Sequence, residues 1–142
     1  MTSEMHHGRC LCGLVQYEAR GAPLRVAHCH CESCRRSTGC AIATFVGYRR
    51  EQVTFATHDR STYASSPGVT RGFCARCGTP LSYESERAPG ELHLYVCTFD
   101  EPQRFAPTVH VHWAERVPWL EIHGALPRHL GGGSEPITSW GP

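Results

Sequence analysis

The sequence predicts a mostly β domain, on three observations. Short segments of alternating or β-branched character recur along the chain, Gly, Pro and Ser residues punctuate them, and no long helical periodicity competes. At 142 residues and 40% hydrophobic composition, the chain suits one domain with a modest core.

The expected strands follow in order. Residues 14–19 alternate Val15, Tyr17 and Ala19 with Gln16 and Glu18, and 24–28 is a short run around Val26. Residues 41–46 carry Ile42, Thr44 and Val46, whose branched side chains suit a pleated surface, and 52–55 and 69–73 have similar character. Residues 92–97 form an apolar run ending at Cys97, and 109–113 alternate valine with histidine, which would put His110 and His112 on one half-exposed strand face. The single helical turn expected is 32–37. It begins inside a cysteine triplet, where a helix N-terminus favours thiolate over thiol. Residues 1–130 are expected to form the domain, and 131–142, with its Gly-Gly-Gly-Ser run, a flexible tail whose one candidate anchor is Trp140.

Composition excludes several functions. A net charge of +1 gives no field that would recruit nucleic acid or a membrane surface. No apolar run is long enough to span a bilayer, and residues 1–7 lack the apolar stretch of a secretory signal, so the cytoplasm is the expected compartment. All 14 basic residues are arginine. Without a lysine amine, Schiff-base catalysis and P-loop phosphate binding are excluded.

Seven of the nine cysteines fall into three tight clusters: Cys10-Leu11-Cys12, Cys29-His30-Cys31-Glu32-Ser33-Cys34 and Cys74-Ala75-Arg76-Cys77. In a reducing compartment such clusters read as metal ligands before disulfides. A closed structural zinc site takes four thiolates, whereas a catalytic site takes three protein ligands and keeps one position open. Seven therefore divides as four plus three. Cys10, Cys12, Cys74 and Cys77 would form a closed site, with glycines 8, 13, 72 and 78 allowing the tight turns, and Cys29, Cys31 and Cys34 an open one.

These motifs, Cys10-Leu11-Cys12-Gly13, Cys29 through Arg36 and Phe73-Cys74-Ala75-Arg76-Cys77-Gly78-Thr79-Pro80-Leu81, together with Pro107 and Trp119-Leu120, resemble the glutathione-dependent formaldehyde-activating family, which includes centromere-protein-V-like proteins. The resemblance covers about residues 6–130. It implies an Mss4-like β-tent of small antiparallel sheets over zinc, and the same division into structural and catalytic sites. It also implies a carbon-sulfur lyase resembling S-(hydroxymethyl)glutathione synthase, with glutathione or another small thiol and formaldehyde or another aldehyde as partners. One zinc ion would be structural, and the other catalytic and labile, since three thiolates hold metal less tightly than four.

Arginine would balance the thiolate charge. Arg9, Arg71 and Arg76 flank the outer clusters, while Arg35 and Arg36, beside the open site, are the candidates to bind substrate carboxylates bidentately. His28, His30 and Glu32 are the local proton-donor candidates, although alternation in an extended segment would turn His30 away from its neighbours Cys29 and Cys31. Cys40 reads as a small buried hydrophobe. Two alternatives remain: a non-enzymatic zinc-binding interaction module, and a thiol enzyme like the B-type methionine sulfoxide reductases using Cys97. The latter match is poor, since Thr79 stands where that family has tryptophan.

Overall fold

The computed structural model describes residues 4–132, in two sheets. The smaller holds β1 (Met5–Arg9), β2 (Gln16–Arg20) and β5 (Val53–Phe55), in the order β1-β2-β5. The larger is built from β3 (Arg25–Cys29), β4 (Ala43–Arg49), β6 (Ser61–Ser66), β7 (Val69–Phe73), β8 (Pro80–Ser85), β9 (Glu91–Tyr95) and β10 (Val109–Val111). Its order is β10-β3-β4-β9-β8-β7-β6. The protein is thus mostly β, as its punctuated sequence predicts.

Side-chain alternation decides what each face of the larger sheet covers. Even-numbered Val26, Val46, Tyr48, Leu92 and Leu94 share a core with Tyr17, Ala19 and Val53 of the smaller sheet. Their odd-numbered neighbours Ala27, Cys29, Phe45 and Tyr95 join Val109 and Val111 in a second cluster that also takes in Cys34. The two cores therefore lie on opposite faces of one sheet.

Cys34 belongs to the short helix α1 (Glu32–Thr38), which matches the expected turn to within a residue. Cys31 is its N-cap, with Sγ accepting from the Cys34 N–H, and Gly39 ends it in the left-handed region at φ 69°, a conformation that glycine adopts without a Cβ clash.

Four features depart from the sequence reading. Strands β1, β6 and β8 carry little apolar alternation, and pairing with neighbours rather than composition makes them strands. β9 stops at Tyr95, where the Thr98 hydroxyl donates to the Tyr95 carbonyl (2.7 Å) and the chain coils into a one-turn 3-10 helix, Val96–Thr98. β10 pairs with β3 in parallel: β3 and β9 both run antiparallel to β4, and the connection through residues 96–108 crosses over from the end of β9 so that β10 runs in that same direction beside β3.

β10 also ends at Val111. His112 then adopts a left-handed conformation at φ 53°, so the two histidines do not share a strand face: His110 is buried, and His112 is only half-buried, with Nδ1 3.2 Å from Glu115. Of the expected tail, Gly131 accepts from the His112 N–H (2.7 Å), while residues 133–142, including Trp140, lie outside the described residues. Among the described residues no helix is long and apolar enough to cross a membrane.

Candidate metal centres

The four outer cysteines converge although Cys12 and Cys74 are 62 residues apart. Each pair sits on a knuckle with the same logic. In the first, the Cys10 N–H donates to Val15 O (3.0 Å), the Gly13 N–H to Cys10 O (3.1 Å) and the Val15 N–H to Cys10 Sγ (3.3 Å). In the second, the Cys74 N–H donates to Thr79 O (3.0 Å), the Gly78 N–H to Cys74 O (2.8 Å) and the Cys77 N–H to Cys74 Sγ (3.5 Å). Gly13 and Gly78, each following the second cysteine of its pair, adopt φ of 80° and 81°. Thr79 ties the knuckles together, its Oγ1 accepting from the Leu11 N–H (3.0 Å) and lying 3.1 Å from Cys77 Sγ.

All four sulfurs lie within 4.8 Å of one another, with Cys10 to Cys12 at 3.6 Å and Cys12 to Cys74 at 3.8 Å. Tetrahedral zinc bound at about 2.3 Å spaces its sulfurs about 3.8 Å apart, so the set fits that ion. Arg76 reinforces it, with Nε 3.2 Å from Cys12 Sγ, while Arg9 donates to the carbonyls of Cys10 and Leu11. The Thr79 hydroxyl and backbone N–H, in that order, hold Cys77 down to about 5, in the range where it is thiolate at neutral pH.

The second group, Cys29, Cys31 and Cys34, lies on the opposite face, with Cys29 and Cys34 buried and Cys31 half-buried. Cys29 Sγ is 3.6 Å from Cys34 Sγ, and all three sulfurs lie within 4.8 Å of one another. Among the described residues no fourth cysteine, histidine or carboxylate joins this cluster. Its thiols share charge unequally. Hydrogen bonds from Cys29 and then Cys34 drive Cys31 far down, whereas the bonds that Cys29 gives to Cys31 and Cys34, together with burial, drive Cys29 far up. Cys34 rises to about 11: a bond with Cys29 lowers it, but its bond to Cys31 and its burial outweigh that effect. A cation bound among the three sulfurs would favour the thiolate form of each.

The flanking residues divide sharply. Arg35 donates from Nε to His30 O (3.1 Å) and from Nη2 to Glu115 O (3.0 Å), whereas Arg36 pairs with Glu32 (2.9 Å) at 78% side-chain exposure. His30 is fully buried, its Nε2 2.9 Å from His110 Nδ1 and its ring against Trp113, while His28 stacks on His110. Burial, followed by the neighbouring histidine His110, pulls His30 down to about 4. Cys40 is exposed rather than buried, because the left-handed Gly39 turns the chain outward; Cys97 is exposed on its 3-10 turn.

Arg71 is placed differently from its sequence position. Only three residues before Cys74, it nonetheless approaches Cys34, with Nη2 3.6 Å from that sulfur. It pairs across the strands with Tyr83, which packs against the Cys29–Cys34 cluster, and Tyr83 lies beneath its guanidinium. Sequence proximity assigns Arg71 to the wrong cluster; its alternation along β7 was the available signal.

The family profile described as glutathione-dependent formaldehyde-activating enzyme (GFA) matches residues 5–115. The chain belongs to the GFA family. A fungal relative, an uncharacterized lyase of Schizosaccharomyces pombe, is 31% identical over 93 residues, covering 64% of this chain and 67% of its own. A crystal structure of a Rhodobacter sphaeroides protein superposes with a TM-score of 0.56 at 23% identity, over 66% of this chain and 87% of that one, a likeness of fold. Both cysteine groups of the GFA chain fall within the matched span or its strands, and both have donor sets suited to metal.

Proposed function

We propose that this protein is a zinc-dependent carbon-sulfur lyase resembling S-(hydroxymethyl)glutathione synthase, joining a thiol such as glutathione to an aldehyde such as formaldehyde, or separating them. The observation that carries the reading is the open trio: three clustered sulfurs, one of them half-exposed at Cys31, with no fourth donor among the described residues. Family membership and the lyase name of the fungal relative support the same class.

Cys29, Cys31 and Cys34 would hold the catalytic zinc, and Cys10, Cys12, Cys74 and Cys77 the structural one. At the open position the ion supplies Lewis acidity that lowers the pKa of a substrate thiol. In the addition, the thiol S–H bond breaks, sulfur bonds to the aldehyde carbon, and the proton ends on the former carbonyl oxygen. Arg35 and Arg36 are the proposed carboxylate contacts. Arg36 is the freer, because its exposed pair with Glu32 holds it by only about 0.3–0.5 kcal/mol. Turning toward a carboxylate would release Glu32 beside the trio, whereas His28 and His30 are engaged with His110.

The test measures adduct formation from glutathione and formaldehyde against the spontaneous rate, with metal content determined on the same samples. Catalysis above the uncatalysed control, abolished in Cys31→Ser while the four-cysteine site keeps its metal, is the expected result. Full turnover in Cys31→Ser would sink the mechanism.

A further inference from the structure

Cys29 is fixed by β3, but the position of Cys34 depends on how α1 docks against the larger sheet. The side chain at that junction is Arg71, which is 8% exposed. Its Nε donates to Ser65 Oγ (3.2 Å), Nη1 to Ser37 Oγ (3.2 Å) and Tyr95 OH (3.2 Å), and Nη2 to Ser33 Oγ (3.1 Å) and Cys34 Sγ (3.6 Å). A guanidinium has five N–H donors, so these five contacts leave none for a substrate carboxylate. Three of the acceptors belong to α1, and the others to β6 and β9. Arg71 thus bolts the helix that carries Cys34 to β6, the neighbour of β7, and to β9, two strands away on its other side.

The same contacts put a buried positive charge against a sulfur of the trio. Three thiolates around a divalent ion leave one net negative charge, and a buried charge needs a partner. Lysine could supply the charge but not the fork, having three donors on a flexible stem.

Building on the metal reading of the trio, we propose that Arg71 is its positioning residue, holding Cys34 Sγ in ligating geometry with Cys29 and balancing the charge of the metal-bound thiolates. It acts through Cys34 and does not touch substrate. The consequence is selective: removing the fork weakens metal binding at the trio and leaves the four-cysteine site on the other face alone.

The experiment is a competitive chelator titration of zinc on the full chain, comparing wild type, Arg71→Lys and the double variant Ser37→Ala with Ser65→Ala. The double variant removes two acceptors of Arg71 that touch no cysteine sulfur; because Ser37 Oγ also donates to Cys34 O (3.2 Å), Ser65→Ala alone is measured beside it, and a shift in that single variant travels through the guanidinium. Wild type should bind two equivalents. In Arg71→Lys the weaker step should loosen about 10–100-fold, as losses of groups that support metal ligands do, with the tighter step unchanged. The double variant should shift the weaker step in the same direction by a smaller factor, and cobalt substituted for zinc should report the change in thiolate charge-transfer absorption at the second equivalent. If Arg71→Lys does not fold, Ser65→Ala decides. Two equivalents in wild type with an unshifted weaker step in the variants would overturn the role of Arg71 alone. A single equivalent in wild type would overturn the metal reading of the trio and the inference with it.

Discussion

Replacing Cys10 and Cys12 together by serine should cost the protein far more stability than replacing Cys29 and Cys31 together, and the chain's connectivity gives the size of the difference. The first double variant removes a whole knuckle, so nothing links residues 10–12 to Cys74 and Cys77, and the second leaves Cys34 alone; each replaces one buried and one more exposed cysteine, so the contrast isolates the cross-link. Through Cys12 and Cys74 the four-cysteine site closes a loop spanning 62 residues, for which chain entropy gives about 4 kcal/mol of stabilisation when the link is intact. Through Cys29 and Cys34 the trio spans only 5 residues, worth about 2 kcal/mol on the same relation. Against a total stability of about 5–15 kcal/mol, losing the first link is a large fraction and losing the second is tolerable. Urea unfolding of zinc-loaded wild type and the two double variants measures both. The expected order is a loss in the Cys10/Cys12 variant exceeding that in the Cys29/Cys31 variant by about 2 kcal/mol. Equal losses, or a larger one for the Cys29/Cys31 variant, would refute the assignment of the four-cysteine site as the structural staple.

Four further outcomes are expected. Acid should destabilise the fold in two windows. Burial, then His28 and Arg128, depress His110 to about 4, so the unfolded chain takes up a proton that the fold does not, and stability falls from about pH 6.5 down to about 4. A hydrogen bond from His93, aided by Arg25 against the opposing effect of burial, depresses Glu91 to about 2, so its contribution is complete above about 4.5 and lost toward 2; the gap in urea midpoint between wild type and Glu91→Gln should close over that range. Arg36→Ala should raise KM for glutathione but not for a thiol without carboxylates, with less than about 0.5 kcal/mol lost in stability; equal effects on both thiols would remove Arg36 from substrate binding. Gly8→Ala should destabilise by about 1–3 kcal/mol, since its Cβ would run into the Tyr17 phenol and the Thr98 carbonyl, as read from the thermal midpoint. Cys97→Ser should leave metal content and thiol-aldehyde turnover unchanged, and consumption of methionine sulfoxide that depends on Cys97 would favour the reductase reading instead.

Much of the fold and the site was legible in the residues. Val15, Tyr17 and Ala19 alternate because one face of their strand is buried, and the structure places them in the core. Close spacing within each cysteine motif fixes which sulfurs can approach one another locally, and Gly13 and Gly78 adopt the positive φ that such tight turns need. The helix at Glu32 could be read from the same stretch, because a seven-residue element depends mainly on its neighbours.

Strands β1, β6 and β8 were hidden because polar sequences become strands when a partner satisfies their backbone. The exposure of Cys40, the separation of His110 from His112 and the parallel return of β10 depend on single backbone conformations and a crossover that composition does not encode. The sequence by itself determined the three cysteine motifs, the local approach of the thiols within each and the mostly β architecture, all of which follow from interactions between near neighbours. Only the tertiary structure decided that the two cysteine groups occupy opposite faces of one sheet and that Arg71 serves Cys34 rather than the adjacent Cys74. The face on which a side chain emerges is set by strand register, and register is fixed by hydrogen bonds to strands distant in the chain.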